Sequence, residues 1–450
     1  MPIAAVPNYL GRDFKDASPA LRFGMLLPLW GINRRTKQLL WTTSDIDYKE
    51  TGKDHIEREI RVENKESALR QAAQLNKTDI DAMHALAARQ KHLAASPAFQ
   101  VHMLTLCATA TAPFTTGLGN EHPLENGFAF LTPYGLPYLA GSGVKGVLRQ
   151  AARELAEEQW GDTRGWSKEK KYTVTIDEET KKTACLSMFD VLFGYEADSG
   201  ETLHTSGVLD FWDVIPQIKG DALAVEVMTP HQGHYYQQKN DRKSGSSTTP
   251  HDSGQPNPIT FLTVPPGSAM NFYVRCDEAR LATLAQELME KTESGEPRWK
   301  TLLTAAFEHA CEWLGFGAKT AVGYGAMQRD KQAEDKQQQA AQKVLQAQKD
   351  AAEMSALSPA MREVRAFERE CKDKVESMPG SKMTRNGAFY QKAKILSDAA
   401  RANEWSEEEK RAAAEAILEW LPKVESWGAP KDAKRELRKK LNLTELAPSI

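Results

Sequence analysis

The sequence runs to 450 residues with 41% hydrophobic and 26% charged side chains, enough for two or three domains and a sizeable core, with the balance of an ordinary globular protein. A net charge of −3 and a pI near 6.4 exclude a generally cationic protein, so any nucleic-acid surface has to be a local patch. Cys107, Cys185, Cys276, Cys311 and Cys371 stand far apart without a CxxC pair, and no apolar run approaches the roughly 18 residues of a membrane span. Reduced thiols, no membrane partner, no metal, no cofactor and a cytoplasmic location are the expectation, and the N-terminus shows no basic start followed by an apolar block.

In chain order, residues 1–50 mix Pro, Gly and aromatic residues without a sustained period. From 53 to about 90 the chain is charged and helix-friendly, with Ile80, Met83, Leu86 and Ala87 at helical spacing, so an amphipathic helix is expected within an N-terminal extension, residues 1–97. Residues 98–114 alternate apolar and polar side chains and are rich in β-formers, the pattern of a strand. The stretch TGLGNEHPLENGFAFLTPYGLPYLAGSGVKGVLR (116–149) follows, ordered as loop, short strand and helix start. The helix expected over 142–160 has an apolar stripe of Val144, Val147, Leu148, Ala151, Ala152 and Leu155 and keeps Lys145, Arg149 and Arg153 on its other side. A helix start presents unpaired N–H groups and the positive end of the dipole; with Ser142 as cap and Lys145 and Arg149 four residues apart, the expected guest is a phosphate. A nucleotide P-loop is excluded, because Lys145 precedes Gly146 instead of following the last glycine. The alternative is a capped helix with two solvated cations.

Residues 161–185 are polar, with a hairpin pattern in YTVTIDEETKKTAC, and 207–214 and 222–228 read as two strands around a turn at 219–221. The longest polar, turn-rich stretch is 229–258. There Tyr235 and Tyr236 suit base stacking, His231 and His234 can donate hydrogen bonds, and Lys239, Arg242 and Lys243 can meet phosphates; a flexible loop without function is the alternative. Further strands are expected at 259–264 and 269–275 and a helix at 299–314. A second glycine cluster, Gly315, Gly317, Gly323 and Gly325 with Lys319 and Tyr324, leads to a closing strand near Ala326. Residues 331–358 are poor in apolar side chains and rich in Gln, Ala and Lys, a helical linker. Residues 359–450 form a helical domain with Val364, Phe367, Val375, Phe389, Ile395, Leu396, Trp405, Ile417, Leu418 and Trp420 as candidate core, ending in the basic amphipathic KDAKRELRKKLNL, which suits RNA, an acidic partner, or a solvated terminal helix.

The pair GSGVKGVLR and GFGAKTAVGYG, in this order, resembles the two signature elements of the RAMP superfamily, the ferredoxin-like RNA-binding proteins of CRISPR systems. GLGNEHPLENG, PYLAGSGVKGVLR, LFG (192–194), GVLDFWDVIP (207–216) and VEVMTPHQGHYY (225–236) narrow the resemblance to the branch of the sixth RAMP subunit of type III-B (Cmr) effector complexes, over roughly 98–328. The resemblance implies an α+β fold: a RAMP-type ferredoxin-like (RRM-like) β-α-β-β-α-β core with insertions at 98–330, followed by the linker and a C-terminal α-helical extension. It implies a non-catalytic subunit that binds the guide crRNA toward its 3′ region and caps the backbone filament in antiviral defence. Its partners would be crRNA, target RNA and the other RAMP and small subunits. RNA-binding positions would be Ser142, Lys145, Arg149, His231, Tyr235, Tyr236, Gly315, Gly317, Lys319, Gly323, Tyr324 and Gly325.

Some RAMP proteins cut RNA, so an endoribonuclease acting on guide precursor or target is the rival reading, and a pure interaction module a third. Cleavage without metal needs a base and an acid within hydrogen-bond reach of the reacting oxygens. His122, His231 and His234 are the histidines of the motif loops and Asp190, Asp210 and Asp213 the nearest carboxylates; none sits in a pattern that specifies catalysis.

Overall fold

The computed structural model describes Val6, Tyr9 and residues 13–51, 56–157, 161–177, 182–196, 204–230, 258–378, 380–402 and 404–446. It divides into two compact units, Met1–Ala341 and Gln342–Ile450, each with its own hydrophobic core.

In the first unit a hairpin of β1 (Ser44–Thr51) and β2 (Ile56–Glu63) precedes helices α1 (Lys65–Ala73) and α2 (Lys77–Ala94). The charged stretch from 53 is therefore helical only from Lys65. In β2, Ile60 and Val62 alternate with charged neighbours in the two-residue period of a strand, which overrides the helix-friendly composition. The α2 stripe is as expected, with Met83 buried and Ile80 and Leu86 packed beside it.

The middle of the chain supplies β3 (Met103–Ala110), α3 (Gly141–Leu155), a hairpin of β4 (Lys171–Asp177) and β5 (Lys182–Ser187), and the short helix α4 (Met188–Phe193). It continues with β6 (Leu209–Phe211), a second hairpin of β7 (Ala224–Met228) and β8 (Ile259–Thr263), β9 (Ala269–Cys276), α5 (Arg298–His309) and β10 (Met327–Arg329). Four strands form one antiparallel sheet in the order β6-β9-β3-β10, with Leu209 opposite Cys276, Phe272 opposite Leu106 and Met327 opposite Ala110.

Strand alternation gives this sheet two unlike faces. On one, Leu104, Leu106, Ala108, Met270, Phe272, Val274 and Cys276 pack into the core with the apolar stripes of α3 and α5. The α3 stripe is the expected one, Val147 alone being only half-buried. Phe272, Phe307 and Phe316 meet in a triangle with ring centroids 4.9 to 5.9 Å apart. On the other face Tyr273 is 3% exposed, packed with Ala94, Met103, Phe99 and Trp212. The first turns of α6 (Lys331–Ala356) close more of this face: the Cys107 N–H donates to Glu334 (2.9 Å) and Gln337 Nε2 donates to Asn271 Oδ1 (2.8 Å).

The expected pairing of 207–214 with 222–228 is corrected. β6 pairs with β9, whereas β7 pairs with β8, Ala224 standing opposite Thr263. Between them the chain is tied elsewhere, Val214 to Leu139 and Gln217 to Ala269, and this carries β7 away from the main sheet to a ladder of its own.

In the second unit α7 (Pro359–Ser377), α8 (Ala388–Ala402), α9 (Glu407–Val424) and α10 (Pro430–Lys440) enclose Val364, Phe367, Leu396, Trp405, Ile417 and Leu418, with Val375, Phe389 and Trp420 packed around them. Ile395 is 68% exposed and leaves the expected core: Leu396, about 100° further round the helix, holds the inward position. Helix α6 buries none of its side chains.

Leu148 is fully buried between α3 and the sheet. Leu148→Ala should destabilise the first unit by about 2–5 kcal/mol, read as a lower denaturation midpoint; an unchanged midpoint would contradict the packing of α3.

Candidate nucleic-acid interface

The first glycine element ends in the start of α3, and here the structure differs from expectation. The N-cap is Ala140 in extended conformation, and Ser142 makes no capping bond. The cap comes from Asp213, whose Oδ1 accepts the Gly141 N–H at 2.8 Å. Gly141 is a requirement of this junction, because a Cβ there would run into the Phe211 carbonyl. The positive end of α3 thus already faces a carboxylate of the same chain, and the expected phosphate seat on the N–H groups after Ser142 is corrected accordingly.

What remains available is the outer side of the helix. Ser142, Gly143 and Gly146 are exposed, Lys145 and Arg149 are half-buried, and a Cβ at Gly146 would meet nothing within 4 Å. At helical spacing Ser142, Lys145, Gly146 and Arg149 share one side, opposite the buried Val144, Leu148, Ala151 and Leu155. Among the described residues neither Lys145 nor Arg149 has an ion-pair partner, and Arg149 Nε is sealed from solvent without a hydrogen-bond acceptor. The open position at Gly146 beside these two cations would let a backbone of opposite charge approach closely.

The second glycine element is a tight return from α5 to β10. Its backbone is locked by Phe316 N–H to Gly325 O (2.9 Å), Gly325 N–H to Pro113 O (2.8 Å) and Ala318 N–H to Thr115 O (2.8 Å). Gly315 and Gly325 are buried and serve the turn itself, so their place in an RNA-facing wall is corrected; Gly317 and Gly323 are exposed. Lys319, in a left-handed conformation (φ 60°), is not a free cation: its Nζ donates to Met228 Sδ at 3.3 Å and lies 5.4 Å from the Phe261 ring centre. Tyr324 packs on Phe261, and its hydroxyl donates to Glu226 Oε2 at 3.5 Å; burial and that carboxylate both raise its pKa. The element therefore rests on the β7–β8 hairpin. Its cation and its aromatic ring are held by residues the sequence reading left out, Glu226, Met228 and Phe261. The strand alternation of AVEVM and ITFLT could have placed them on one ladder, but only the register puts them under Lys319 and Tyr324.

No hydrogen bond or ring contact among the described residues joins Lys145 or Arg149 to Lys319 or Tyr324, so the two elements are positioned separately. His231, His234, Tyr235, Tyr236, Lys239, Arg242 and Lys243 lie outside the described residues.

The other candidates for chemistry are occupied by structural work. His122 stacks on Phe23 with ring centres 3.9 Å apart; its Nε2 bonds the Phe23 carbonyl (2.8 Å) and its Nδ1 accepts the Leu124 N–H (3.1 Å). Asp190 closes a capping box with Ser187, Asp210 pairs with Arg275 at 3.6 Å, and Asp213 caps α3. Four cysteines are buried, Cys185 alone being exposed, and burial pushes the Cys107, Cys311 and Cys371 thiols up to about 12. A shallow cavity of about 290 Å³ beside Arg164, Glu308 and Arg329 offers no spare cation, since both guanidinium groups pair with Glu308 and Arg329 also with Glu334. No group of three His, Cys, Asp or Glu side chains suited to a metal occurs among the described residues, and none of the described helices is long and apolar enough to cross a membrane.

Compared with known proteins, residues 107–328 match the family model of the RAMP superfamily. The chain is similar to the CRISPR system Cmr subunit Cmr6 of Pyrococcus furiosus, 28% identical over 262 residues that cover 50% of this chain and 68% of that protein. Similar solved structures include a type III-B Cmr-beta complex bound to cognate target RNA (16% identity, TM-score 0.33, 59% of this chain and 71% of that one). The crystal structure of Cmr6 from Pyrococcus furiosus is another (23% identity, TM-score 0.25, 50% and 97%).

The His122 environment has a pH signature. Burial lowers its pKa from the ordinary 6.5, the bond to Phe23 opposing this only in part. Between the two values the unfolded chain holds a proton that the folded chain does not, so stability falls as pH drops below about 6.5 and on through the folded-state value. In His122→Asn that loss should shrink, measured by denaturant unfolding at pH 7 and pH 5; equal losses in both proteins would show that His122 does not titrate this way.

Proposed function

We propose, from the membership of residues 107–328 in the RAMP superfamily and the similarity to Cmr6, that this chain is an RNA-binding subunit of a type III-B CRISPR effector complex without catalytic activity of its own. It would hold the guide crRNA toward its 3′ region and cap the backbone filament, with crRNA, target RNA and the other RAMP and small subunits as partners.

The observation that carries the reading is the outer side of α3, where the signature GSGVKGVLR presents Lys145 and Arg149, without ion-pair partners among the described residues, beside the open Gly146. Unpaired cations beside bare backbone suit phosphates, which every guide shares whatever its sequence. A ferredoxin-like β-α-β-β-α-β core within 98–330 is supported by the order β3, α3, β6, β9, α5, β10 and by the arrangement β6-β9-β3-β10, in which the first and third core strands are central. In RRM-type recognition bases stack on aromatic side chains of the open sheet face. Here that face holds a buried Tyr273 under Phe99, Trp212 and α6, which favours recognition through α3 and the loops. The engagement of His122, Asp190, Asp210 and Asp213 in stacking, capping and pairing supports the non-catalytic reading.

Replacing Lys145 and Arg149 together by Ala should weaken RNA retention in the assembled complex and lower the salt slope by about 1.4, each lost phosphate contact contributing about 0.7 on a single strand. Asp213→Asn, which takes a carboxylate away from the same helix end, should act in the opposite direction. RNA binding measured across a salt series tests both, and an unchanged slope in the double variant would remove α3 from the interface.

A further inference from the structure

We infer that the outward face of α10 is a second, sequence-independent RNA phosphate-binding surface. It lies outside the region that matches the superfamily and rests on observations independent of α3.

Helix α10 reads PKDAKRELRKK, six cations against Asp432 and Glu436. Its inward side is fixed by Ala433, Leu437 and Leu441, all buried in the core of the second unit. At 100° per residue, Lys431, Arg435 and Lys439 then fall on the opposite side, over about 12 Å of helix and with Asp432 beside them, while Lys434 and Arg438 run along its flank. Lys431, Lys434, Arg435 and Lys439 are exposed and Arg438 is half-buried, with its Nε sealed and without an acceptor. Glu436 is already taken, by Arg385 and by Lys440 at 3.3 Å.

Several surface cations of this unit have carboxylate partners, as in Arg411–Glu415, Lys423–Glu419 and Lys392–Glu370, and others, such as Arg369 and Lys394, stand singly without one among the described residues. Helix α10 gathers such cations: none of those five has an ion-pair partner among the described residues. They repel one another instead, with Lys431 and Arg435, Lys434 and Arg438, and Arg435 and Lys439 each four residues apart. The dipole excuses Arg438 and Lys439 in the last turn but opposes Lys431 and Lys434 near the start. Folding alone gains nothing from such a stripe; a polyanion laid along it relieves the repulsion.

RNA is favoured over an acidic protein by what the stripe lacks. Its outward positions carry no apolar side chain, whereas protein interfaces are anchored by buried aromatic residues and are depleted in Lys. Phosphodiesters need only a row of cations and counterion release.

The test uses the full chain and a short labelled single-stranded RNA of arbitrary sequence, with affinity measured by anisotropy across a salt series. The triple variant Lys434→Ala, Arg435→Ala, Lys439→Ala should lose about ten- to a hundredfold in affinity at low salt, and its salt slope should fall by about 2. The charge-preserving variant Lys434→Arg, Lys439→Arg should bind as wild type, and unfolding of both should match wild type, separating charge from folding. Unchanged affinity and slope in the triple variant would overturn the inference, as would loss of an acidic protein partner with RNA affinity intact. The double alanine variant at Lys145 and Arg149 keeps the two readings apart. If it alone weakens binding, α10 is out and α3 stands. If only the α10 variant does, the reverse holds, and a wild-type chain that ignores RNA defeats both.

Discussion

The first unit depends on a backbone closure that only particular residues permit. Helix α5 ends at His309 and must hand the chain to β10 at the sheet edge, and it does so through the return at 315–325, pinned to Pro113 and Thr115 just beyond the end of β3. Gly317 and Gly325 both have positive φ, and a Cβ at either would collide with backbone, Thr115 O in one case and Phe316 O in the other. The closure also decides what the return can do for a ligand. Its hydrogen-bonding groups are largely spent on the protein, and Lys319, held in the left-handed region, is drawn onto Met228 and Phe261. The glycines of this element look functional in sequence and prove first of all to be architectural.

The two glycine elements therefore divide their work. The second fastens β3, β8 and β10 together; the first, around α3, leaves cations over. The difference lies in where the chain's own anions sit. Glu226 faces Tyr324 in one, and Asp213 caps the helix in the other without reaching Lys145 or Arg149. Arg329 shows the opposite extreme, a guanidinium consumed by Glu308 and Glu334 and useless to any incoming phosphate. A basic residue in a motif becomes a candidate only when the fold fails to supply its counterion.

Local pattern made much of this legible. The stripe Val144, Leu148, Ala151, Ala152, Leu155 identified α3 and its buried side, and alternation in MLTLCATA and AMNFYVRC gave the central strands. What sequence could not give was pairing between distant segments. Asp213 caps a helix 72 positions away, so Ser142, adjacent and of the right type, looked like the better cap. β7 found β8 and not β6, because bridges at Val214 and Gln217 redirect the chain between them. In β1–β2 the period of two was present in Ile60 and Val62, yet dense charge ahead of the α2 stripe imitated the start of an amphipathic helix. Local propensity yields to tertiary contact in each case.

The closed sheet face constrains how RNA recognition could work in the proposed reading. With Tyr273 buried and Asn271 bonded to Gln337, the surface that would stack bases in an open four-stranded sheet is filled by the chain's own α6 and by Phe99 and Trp212. Base-edge readout on that face is thereby lost, and what the described surface retains is helix faces carrying charge. Charge on a helix reads phosphates and ignores sequence, the property a guide-holding subunit needs, since guides differ in every base and agree only in their backbone. In the proposed reading a chain of net charge −3 serves RNA through local patches: the Arg329 guanidinium is neutralised by Glu308 and Glu334, whereas two cations on one side of α3 in the first unit and five of α10 in the second have no ion-pair partner among the described residues.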